Sequence, residues 1–407
     1  METGTSRPTV EGVPVDWEQR RELFSLDWGV GHLNHGSFGA VPLPAQRAQQ
    51  RLRDEMEANP IAFFTRGLIE RIEHSRTHLA RFVGAEPDGV ALVANATAAA
   101  SAVLRSLSLA EGQEILVTDH AYGAVRLAAE DLAGRAGAIV RTVAVPLLAD
   151  DDEIVTRVVQ AVRPGRTRLA VIDHVASATA KLFPVDRLTA QLKDRGVAVL
   201  VDAAHAPGML AVDVAASGAD FWFGNLHKWA FAPRATALLS VALEHRQTMR
   251  PLVVSWEHLR GFPQAQEWAG TLDYTAWLAA PTGLHLLRTL GLDRVRTYNA
   301  ALVAQGQRLV AETIRGLAPS TDVLDAAATG ELGSGEVSMR VVALPSGIAS
   351  DLAGAIELRA RLAREHQIEV GVSAWNGIGL LRLSAQVYNR VDDYERLSRA
   401  LRRMLSR

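Results

Sequence analysis

The sequence predicts an α/β protein with a mostly parallel sheet in a large domain and a smaller α+β domain at the C-terminal end. Apolar runs that suit buried strands alternate with helix-period segments along most of the 407-residue chain. This alternation is typical of a parallel sheet covered by helices on both faces. From about residue 290 the pattern changes to a long helical segment followed by shorter apolar segments. The length also exceeds that of one small domain.

Six apolar runs are the predicted strands of the large domain: residues 89–94, 114–119, 138–145, 168–174, 197–203 and 219–224. The segment 185–196 between two of them has apolar residues at helical spacing and ends in a glycine that suits a helix stop. The smaller domain has helical patterns over 291–317 and 355–366, and apolar segments over 337–345, 368–373 and 380–388. We expect a flexible tail over 1–14, an N-terminal segment over 15–45, the large domain over 46–288 and the small domain over 289–407.

Composition argues against several classes of function. The formal net charge is −2, so nothing predicts a nucleic acid or an anionic membrane as a partner. No apolar run approaches the ~20 residues that a membrane helix needs, and the first residues lack the apolar core of a signal peptide. We therefore expect a cytoplasmic location. The chain contains no cysteine, which removes disulfides, thiolate metal sites and a persulfide-carrying cysteine of its own.

Lysine is rare in this chain, and one lysine has unusual neighbours. Only Lys181, Lys193 and Lys228 occur among 43 basic residues. Lys228 lies in the apolar stretch FGNLHKWAF (223–231). Because a buried lysine can lose its proton whereas arginine cannot, the retained amine indicates chemistry more than charge. Lys181 follows a loop and Lys193 lies in an amphipathic helix, so neither has comparable surroundings.

Asp202 and Lys228 follow successive predicted strands, where ligands gather in parallel sheets. Alone, an aspartate at a strand end is more often a cap or a turn residue. Together, an amine and a carboxylate in this arrangement suit a pyridoxal phosphate ring. The amine forms an imine with the aldehyde of the cofactor, and the carboxylate keeps the ring nitrogen protonated. Ala203 and Ala204 are small enough for the ring to lie close.

Two further segments suit the same cofactor. Asn95, Ala96 and Thr97 follow the first predicted strand and precede a helical run, and free N–H groups at a helix start bind anions such as phosphate. An ordinary cap is the alternative for these residues. The segment DHAYGA (119–124) contains Tyr122 and His120, either of which could stack on a flat ring.

These segments together resemble the fold-type I pyridoxal-phosphate enzymes of the class V aminotransferase family, and within it the isopenicillin N epimerase-like branch. The likeness covers about residues 30 to 395. Its motifs are VDAAHAPG (201–208), GNLHKW (224–229), NAT (95–97), DHAYGA (119–124), LNHGSFGAVP (33–42), RPLVVSW (250–256) and EWAGTLDYTAWLA (267–279). The individual motifs are weak, and their combination is specific.

The resemblance implies roles around the cofactor. Lys228 would form the Schiff base and move protons, Asp202 would pair with the ring nitrogen, and Tyr122 would stack on the ring, with His120 in reserve. The other cofactor contacts implied are to the ring hydroxyl, from His205 and Ser177, and to the phosphate, from Ala96, Thr97, Asn225 and His227. Gly270 and Thr271 would reach the phosphate of a neighbouring subunit, which implies a homodimer with shared sites.

The resemblance also implies how a small amino-acid substrate is held. Arg382 would bind its α-carboxylate as a bidentate fork, and Asn34 would line the mouth of the site. Leu272 and Tyr274 stand where relatives often have Arg or Gln and Pro, which predicts a less polar, aromatic substrate wall. The segment 256–268 is also short. These departures argue against penicillin epimerisation itself.

We expect an enzyme of specialised metabolism, such as antibiotic biosynthesis, that cleaves the C–S bond of a cysteine S-conjugate by β-elimination. The alternatives are decarboxylation coupled to oxidative deamination, epimerisation and transamination. The absence of cysteine predicts that the chain is not a cysteine desulfurase. A non-catalytic cofactor-binding regulator is disfavoured. Such proteins usually carry a DNA-binding domain, and here the N-terminal extension is too short for one and the chain is not basic. No metal site is expected, since His74 and His78 sit four apart without a third ligand.

Overall fold

The computed structural model describes residues 9–10, 13–14 and 16–405 of the chain. Within these residues the strands are β1 Thr9–Val10, β2 Val13–Pro14, β3 Gly31–Leu33, β4 Val90–Val93, β5 Glu114–Thr118, β6 Ile139–Val143, β7 Thr167–Asp173, β8 Ala198–Asp202, β9 Phe221–Asn225, β10 Ala237–Val241, β11 Met339–Ala343, β12 Ile368–Trp375 and β13 Ile378–Ser384. Of the predicted tail, residues 1–8, 11 and 12 lie outside the described residues, and β1 pairs with β2.

Helices connect most of these strands. They are α1 His35–Phe38, α2 Leu43–Ala58, α3 Pro60–Thr65, α4 Leu68–Phe82, α5 Ala96–Ser106, α6 Gly123–Ala136, α7 Asp151–Gln160, α8 Val185–Lys193, α9 Val214–Ser217, α10 Leu226–Trp229, α11 Gln264–Glu267, α12 Thr275–Leu290, α13 Leu292–Arg315, α14 Asp322–Thr329, α15 Leu352–His366 and α16 Val391–Leu405. Side-chain caps begin several of them, including Asn95 for α5 and Asp150 for α7. Each cap oxygen accepts an N–H that the helix itself cannot satisfy.

Seven strands form the larger sheet in the order β4-β10-β9-β8-β7-β5-β6. The neighbours from β6 to β9 are parallel, and β10 runs antiparallel to both β9 and β4. The predicted mostly parallel α/β fold is therefore confirmed. All six predicted strands form, and β10 is a seventh that the hydrophobic pattern had not indicated.

Both faces of this sheet are buried. Along β5, Leu116 packs in one apolar cluster while Ile115 and Val117 pack in another. Along β7, Ala170 packs in the first of these clusters and Leu169 in the second. Successive side chains of a strand point to opposite faces, so helices must cover both sides. This leaves the carboxyl-terminal edge of the sheet as the place where polar side chains can gather.

Four strands form a second sheet in the order β11-β13-β12-β3. Three come from the C-terminal part of the chain. β3 comes from the N-terminal segment and pairs in parallel with β12, with Gly31 opposite Ile368. The predicted domain limits at residues 45 and 288 remain a prediction.

The N-terminal segment then runs against helix α10. The Nε2 of His35 contacts the carbonyl oxygen of Lys228 at 2.7 Å, and its Nδ1 contacts the Tyr388 hydroxyl at 2.9 Å. Gly39 has a φ of +68°, and a Cβ atom there would lie 1.9 Å from the carbonyl oxygen of His227. The motif LNHGSFG thus lets the backbone approach α10 closely. Within the described residues, no helix is both long and apolar enough to cross a membrane.

Candidate active site

Lys228 lies in the one-turn helix α10, immediately after β9. Its neighbours Leu226, Trp229 and Phe231 are buried. Removal from water, together with the positive charge of Arg382, lowers the pKa of Lys228 to about 7, and the Asp202 carboxylate partly opposes that shift. The lysine can therefore supply a neutral amine near neutral pH.

His205 contacts this amine directly. The Nε2 of His205 lies 3.1 Å from the Lys228 Nζ, and its Nδ1 accepts a hydrogen bond from the Trp229 indole at 3.5 Å. Burial and the Lys228 charge hold the pKa of His205 well below its usual range. A neutral imidazole that accepts at Nδ1 carries its proton on Nε2. In that tautomer Nε2 donates to a neutral Lys228 amine, whereas in the other tautomer Nε2 accepts a hydrogen bond from the amine.

Asp202 is the carboxylate of the site. It ends β8, is only 4% exposed, and accepts the Ala204 N–H at 3.0 Å. Burial raises the pKa of Asp202 to about 6, against the stabilising effects of the Ala204 N–H and the Lys228 charge. The group is therefore an anion above that pH, as a partner for a protonated ring nitrogen must be.

A cavity of about 320 Å³ joins these groups. Nine residues predicted from the sequence line it, and they come from the ends of five strands and the helices that follow: Ala96, Thr97, Tyr122, Ser177, Asp202, His205, Asn225, His227 and Lys228. The parallel strand ends thus bring together residues that lie up to 132 positions apart, counted from Ala96 to Lys228.

The start of α5 offers free donors to this cavity. The Asn95 side chain accepts the Ala98 N–H, and the Asn225 side chain accepts the Ala96 N–H, both at 2.9 Å. Among the described residues nothing pairs with the N–H or hydroxyl of Thr97, which lies between them. Asn95 is thus the ordinary cap, and Thr97 is the group left to bind an anion.

His227 offers a hydrogen-bond acceptor to the cavity beside α5, because the one proton of its neutral ring is on Nδ1. Its Nδ1 donates to the carbonyl oxygen of Thr236 at 3.1 Å. The Nε2 of this cavity-lining side chain is therefore the ring nitrogen left for a ligand. Burial lowers the pKa of His227 to about 4, so the ring is neutral at neutral pH. Asn225 serves mainly to hold the start of α5 through its oxygen.

Tyr122 and His120 have different surroundings. Tyr122 precedes α6, lines the cavity and is partly exposed. His120 is 1% exposed, and its two ring nitrogens contact the Thr179 hydroxyl at 2.7 Å and the Val145 carbonyl oxygen at 2.8 Å. His120 is not among the residues that line the cavity, and its role in binding the cofactor stays a prediction. Its ring is already bonded on both sides, and Tyr122 is left as the candidate stacking group.

Arg382 is a buried cation beside the cavity. It lies on β13 and is 8% exposed. Its guanidinium donates to the Ser177 carbonyl oxygen and hydroxyl at 2.7 and 3.1 Å, and to Asn34 Oδ1 and Ser37 Oγ at 2.9 and 2.8 Å. Within the described residues no carboxylate pairs with it, and its Nε has no partner. Burial lowers the pKa of Arg382 to about 10, so the charge persists at neutral pH. An uncompensated buried cation suits an anionic ligand.

The segment before α12 does not line this cavity. Tyr274 is 1% exposed, stacks on Trp268 with ring centroids 5.4 Å apart, and donates its hydroxyl to the Gly270 carbonyl oxygen at 2.7 Å. The ring is packed into the core, and its role in a substrate wall stays a prediction. Thr271 and Leu272 are exposed. That Gly270, Thr271 and Leu272 serve a neighbouring subunit stays a prediction.

Sequence reasoning missed several lining residues. Asp173 ends β7 and Val175 follows it, Ser37 and Phe38 come from the N-terminal segment, and Arg234 lies beyond α10. Asp173 could have been found, because it ends a predicted strand as Asp202 does. Arg234 gave no signal, since it lies in a loop without a periodic pattern. The pair His74 and His78 is unrelated to the cavity, and His78 faces Arg288 at 3.2 Å.

These side chains fit pyridoxal phosphate. The Thr97 donors suit the phosphate, the buried Asp202 carboxylate suits the ring nitrogen, and the neutral Lys228 amine suits the aldehyde. Arg382 remains for an amino-acid carboxylate. When bound, the cofactor would draw electrons from the Cα atom of an amino acid. The residues themselves position the groups and hold the protons.

The fold and the site together define an α/β protein of the pyridoxal-phosphate-binding type. The chain belongs to the aminotransferase class-V family, whose profile matches residues 47–322. It is 33% identical to the isopenicillin N epimerase of Streptomyces clavuligerus over 403 residues, which are 95% of this chain and 98% of that protein. The corresponding protein of Amycolatopsis lactamdurans is 35% identical over 96% of this chain and 99% of its own length. A putative L-cysteine desulfhydrase of Oryza sativa subsp. japonica is 33% identical over 95% of this chain and 86% of its own length.

Solved structures share the fold at lower identity. A variant of C-DES with glycine covalently linked to its PLP cofactor has a TM-score of 0.77 at 19% identity, over 94% of this chain and 98% of that one. The cysteine desulfurase CsdA of Escherichia coli has a TM-score of 0.74 at 20% identity, over 96% and 98%. The resemblance, the fold type and pyridoxal phosphate as the cofactor are thereby confirmed.

One prediction fails in this comparison. The absence of cysteine predicts that the chain is not a cysteine desulfurase, yet the relatives include proteins named for L-cysteine desulfhydration and the fold neighbours include a cysteine desulfurase. The physical reason is that composition limits where a chain could hold sulfur. The amino-acid composition of an enzyme does not decide which compound the enzyme acts upon.

Proposed function

We propose that this protein is a pyridoxal-phosphate-dependent enzyme that cleaves the C–S bond of a cysteine or a cysteine S-conjugate by β-elimination. The observation that carries the proposal is Arg382, a buried cation without a carboxylate partner in the described part of the chain. It lies beside a cavity whose lysine has its pKa lowered to about 7. A fork for a carboxylate next to a neutral amine suits an α-amino acid.

The reaction balances with groups that the site contains. The Cα–H bond of the substrate breaks and its proton passes to a base, for which Lys228 is the candidate as a neutral amine. The Cβ–S bond breaks and the thiolate leaves with the electron pair. Water then completes the release of ammonium and pyruvate. His205 holds the Lys228 amine in place at 3.1 Å before the substrate arrives.

The choice of sulfur rests on the relatives. Proteins about a third identical over most of the chain are named for L-cysteine desulfhydration, and the C-DES complex is named as a cystine C–S lyase. These names support β-elimination as the lead. A role in specialised metabolism, such as antibiotic biosynthesis, is part of the proposal.

The test is product analysis with the purified holoenzyme. The panel contains L-cysteine, L-cystine, several S-conjugates and amino acids that lack sulfur. Pyruvate and free thiol in equal amounts are the expected result. Carbon dioxide with an aldehyde would replace the proposal by decarboxylation coupled to oxidative deamination. A holoprotein whose visible absorbance responds to none of these compounds would favour a binding module.

Epimerisation is the second candidate, because two isopenicillin N epimerases are 33% and 35% identical over nearly full length. Burial of the Tyr274 ring weakens the objection to epimerisation that an aromatic substrate wall would raise. Incubation in deuterium oxide distinguishes the two reactions. Epimerisation incorporates solvent deuterium at Cα in product of inverted configuration, with sulfur retained.

A further inference from the structure

The cavity contains a second carboxylate that the assignments above leave without a role. Asp173 ends β7 as Asp202 ends the neighbouring strand β8, and the parallel register places the two residues opposite each other. Both side chains line the cavity. Two acidic side chains therefore lie side by side where the cofactor ring would need one.

Asp173 lacks the partners that an ionised carboxylate requires. It is 2% exposed, and its Oδ2 atom is buried without a hydrogen-bond partner among the described residues. The groups that act on it are its own backbone N–H, the Tyr122 N–H and the charge of Asp202. No cation is among them. An ionised Asp173 carboxylate would leave this buried oxygen without a hydrogen bond, which costs free energy.

Asp202 has groups around it that stabilise its ionised form. It accepts the Ala204 N–H at 3.0 Å, and the charge of Lys228 favours its ionised form. Burial and the neighbouring Asp202 charge raise the pKa of Asp173 well above its ordinary range. Because two adjacent buried carboxylates cannot both ionise cheaply, the proton remains on the one with the poorer partners.

We propose that Asp173 is a positioning residue that stays a neutral carboxylic acid and uses its O–H to orient Asp202 as the single anionic partner for the cofactor ring. Protonation of Asp173 turns its Oδ2 from an acceptor into a donor. The Asp202 carboxylate on the adjacent strand is then the acceptor. This inference rests on cofactor binding and holds for whichever reaction the site performs.

The direct test uses the wild-type chain without cofactor, labelled with ¹³C at the aspartate carboxyl carbons. One carboxyl resonance is expected to remain in the protonated form at neutral pH. It should be absent from the spectrum of Asp173→Asn. If every aspartate carboxyl is ionised at neutral pH, the proposal is overturned without reference to activity.

The second test measures the dissociation constant of pyridoxal phosphate. Asp173→Asn keeps a neutral donor of the same shape, so we expect affinity within about threefold of the wild type. Asp202→Asn removes the anion, and affinity should fall by at least about tenfold, with a shifted visible absorbance band. Equal losses in the two variants would mean that Asp173 acts as a charge, and would refute its role as a neutral acid. Asp173→Leu, which cannot donate, should lie between the two.

Discussion

Arg382 is held by neutral groups, and its charge is left for a ligand. Its four hydrogen bonds go to a carbonyl oxygen, two hydroxyls and an amide oxygen. These bonds fix the plane of the guanidinium while leaving its charge uncompensated. A substrate carboxylate would therefore meet an oriented cation, and little conformational entropy is lost when it binds.

Replacement of Arg382 by Ala should raise KM at least tenfold, since a charge-assisted hydrogen bond contributes roughly 1.5–3 kcal/mol. Cofactor absorbance should remain, because Arg382 does not line the cofactor cavity. Steady-state kinetics and visible spectra measure both. Arg340→Ala is the matched control, since Arg340 is also buried and also bonds neutral acceptors, namely Leu332 and Ser334 carbonyl oxygens. Loss of cofactor in Arg382→Ala would contradict the assignment.

The lowered pKa of Lys228 predicts how stability depends on pH. The folded state releases this proton above about 7, whereas the unfolded state keeps it up to about 10.4. Between these values the unfolded state binds more protons, so this group makes stability rise with pH. Lys228→Met should therefore be most stabilised relative to wild-type apoprotein at low pH.

Urea titrations of the apoproteins from pH 6.5 to 9 would measure the effect. The difference in unfolding free energy between Lys228→Met and wild type should shrink by about 2–3 kcal/mol over that range. The control is Lys193→Met, because Lys193 is more exposed and pairs with Asp220. A constant difference for Lys228→Met would show that its amine stays charged.

Single residues also show where sequence reasoning succeeds and where it stops. Lys228 and Asp202 were predictable, because parallel strands bring their carboxyl ends to one edge whatever the remaining packing. The positions of the His120 and Tyr274 rings were not, because burial decides whether an aromatic ring faces a cavity or the core, and neighbouring sequence does not show burial. Asp173 was predictable in principle from the same strand-end rule.

At the scale of elements, the short helix α10 depends on a segment almost 200 residues away in sequence. His35 contacts the Lys228 carbonyl oxygen, and Gly39 passes so close to His227 that no Cβ fits. The one-turn helix has little stability of its own. Its geometry, and therefore that of the lysine, is maintained by the N-terminal segment packed on it.

Gly39→Ala should consequently destabilise the fold by well over about 1 kcal/mol, since it adds a steric clash to the strain of a positive φ. Gly196→Ala is the control, because Gly196 has a φ of +71° and open space around its Cβ position. That variant should lose only about 1 kcal/mol. Thermal unfolding and cofactor affinity measure both variants, and equal losses would argue against the close approach.

Most strands of the large sheet were predictable from their apolar runs, whereas β10 of that sheet and β3 of the second sheet were not. β10 is a short run inside a longer apolar region, and its antiparallel pairing with β4 and β9 depends on contacts distant in sequence. β3 has three residues and joins β12 from the other end of the chain. Periodicity detects an element, but it does not report the partner of that element.

At the scale of the whole molecule, shared sites in a homodimer remain a proposal with a clear test. If Gly270 and Thr271 complete the site of a partner, a defect there and a defect at Lys228 should complement each other. Lys228→Ala mixed with Thr271→Arg after joint refolding should recover roughly a quarter of wild-type activity, because half of the dimers would contain one intact site. No recovery, with both variants folded and dimeric, would contradict sharing. Sedimentation measures the oligomer.

The pairing of β3 with β12 also bears on synthesis. The first residues of the sheet leave the ribosome long before Ile368, their partner, has been made. Arg382 follows later still. The large sheet can form during translation, whereas the N-terminal segment that supports Lys228 must wait for nearly the entire chain. Nascent chains that stop before β12 should therefore bind the cofactor poorly. Cofactor fluorescence on stalled ribosomes can test this expectation. Tight binding by these nascent chains would show that Lys228 needs no support from the N-terminal segment. Cofactor loading would then act as a check that the polypeptide is finished.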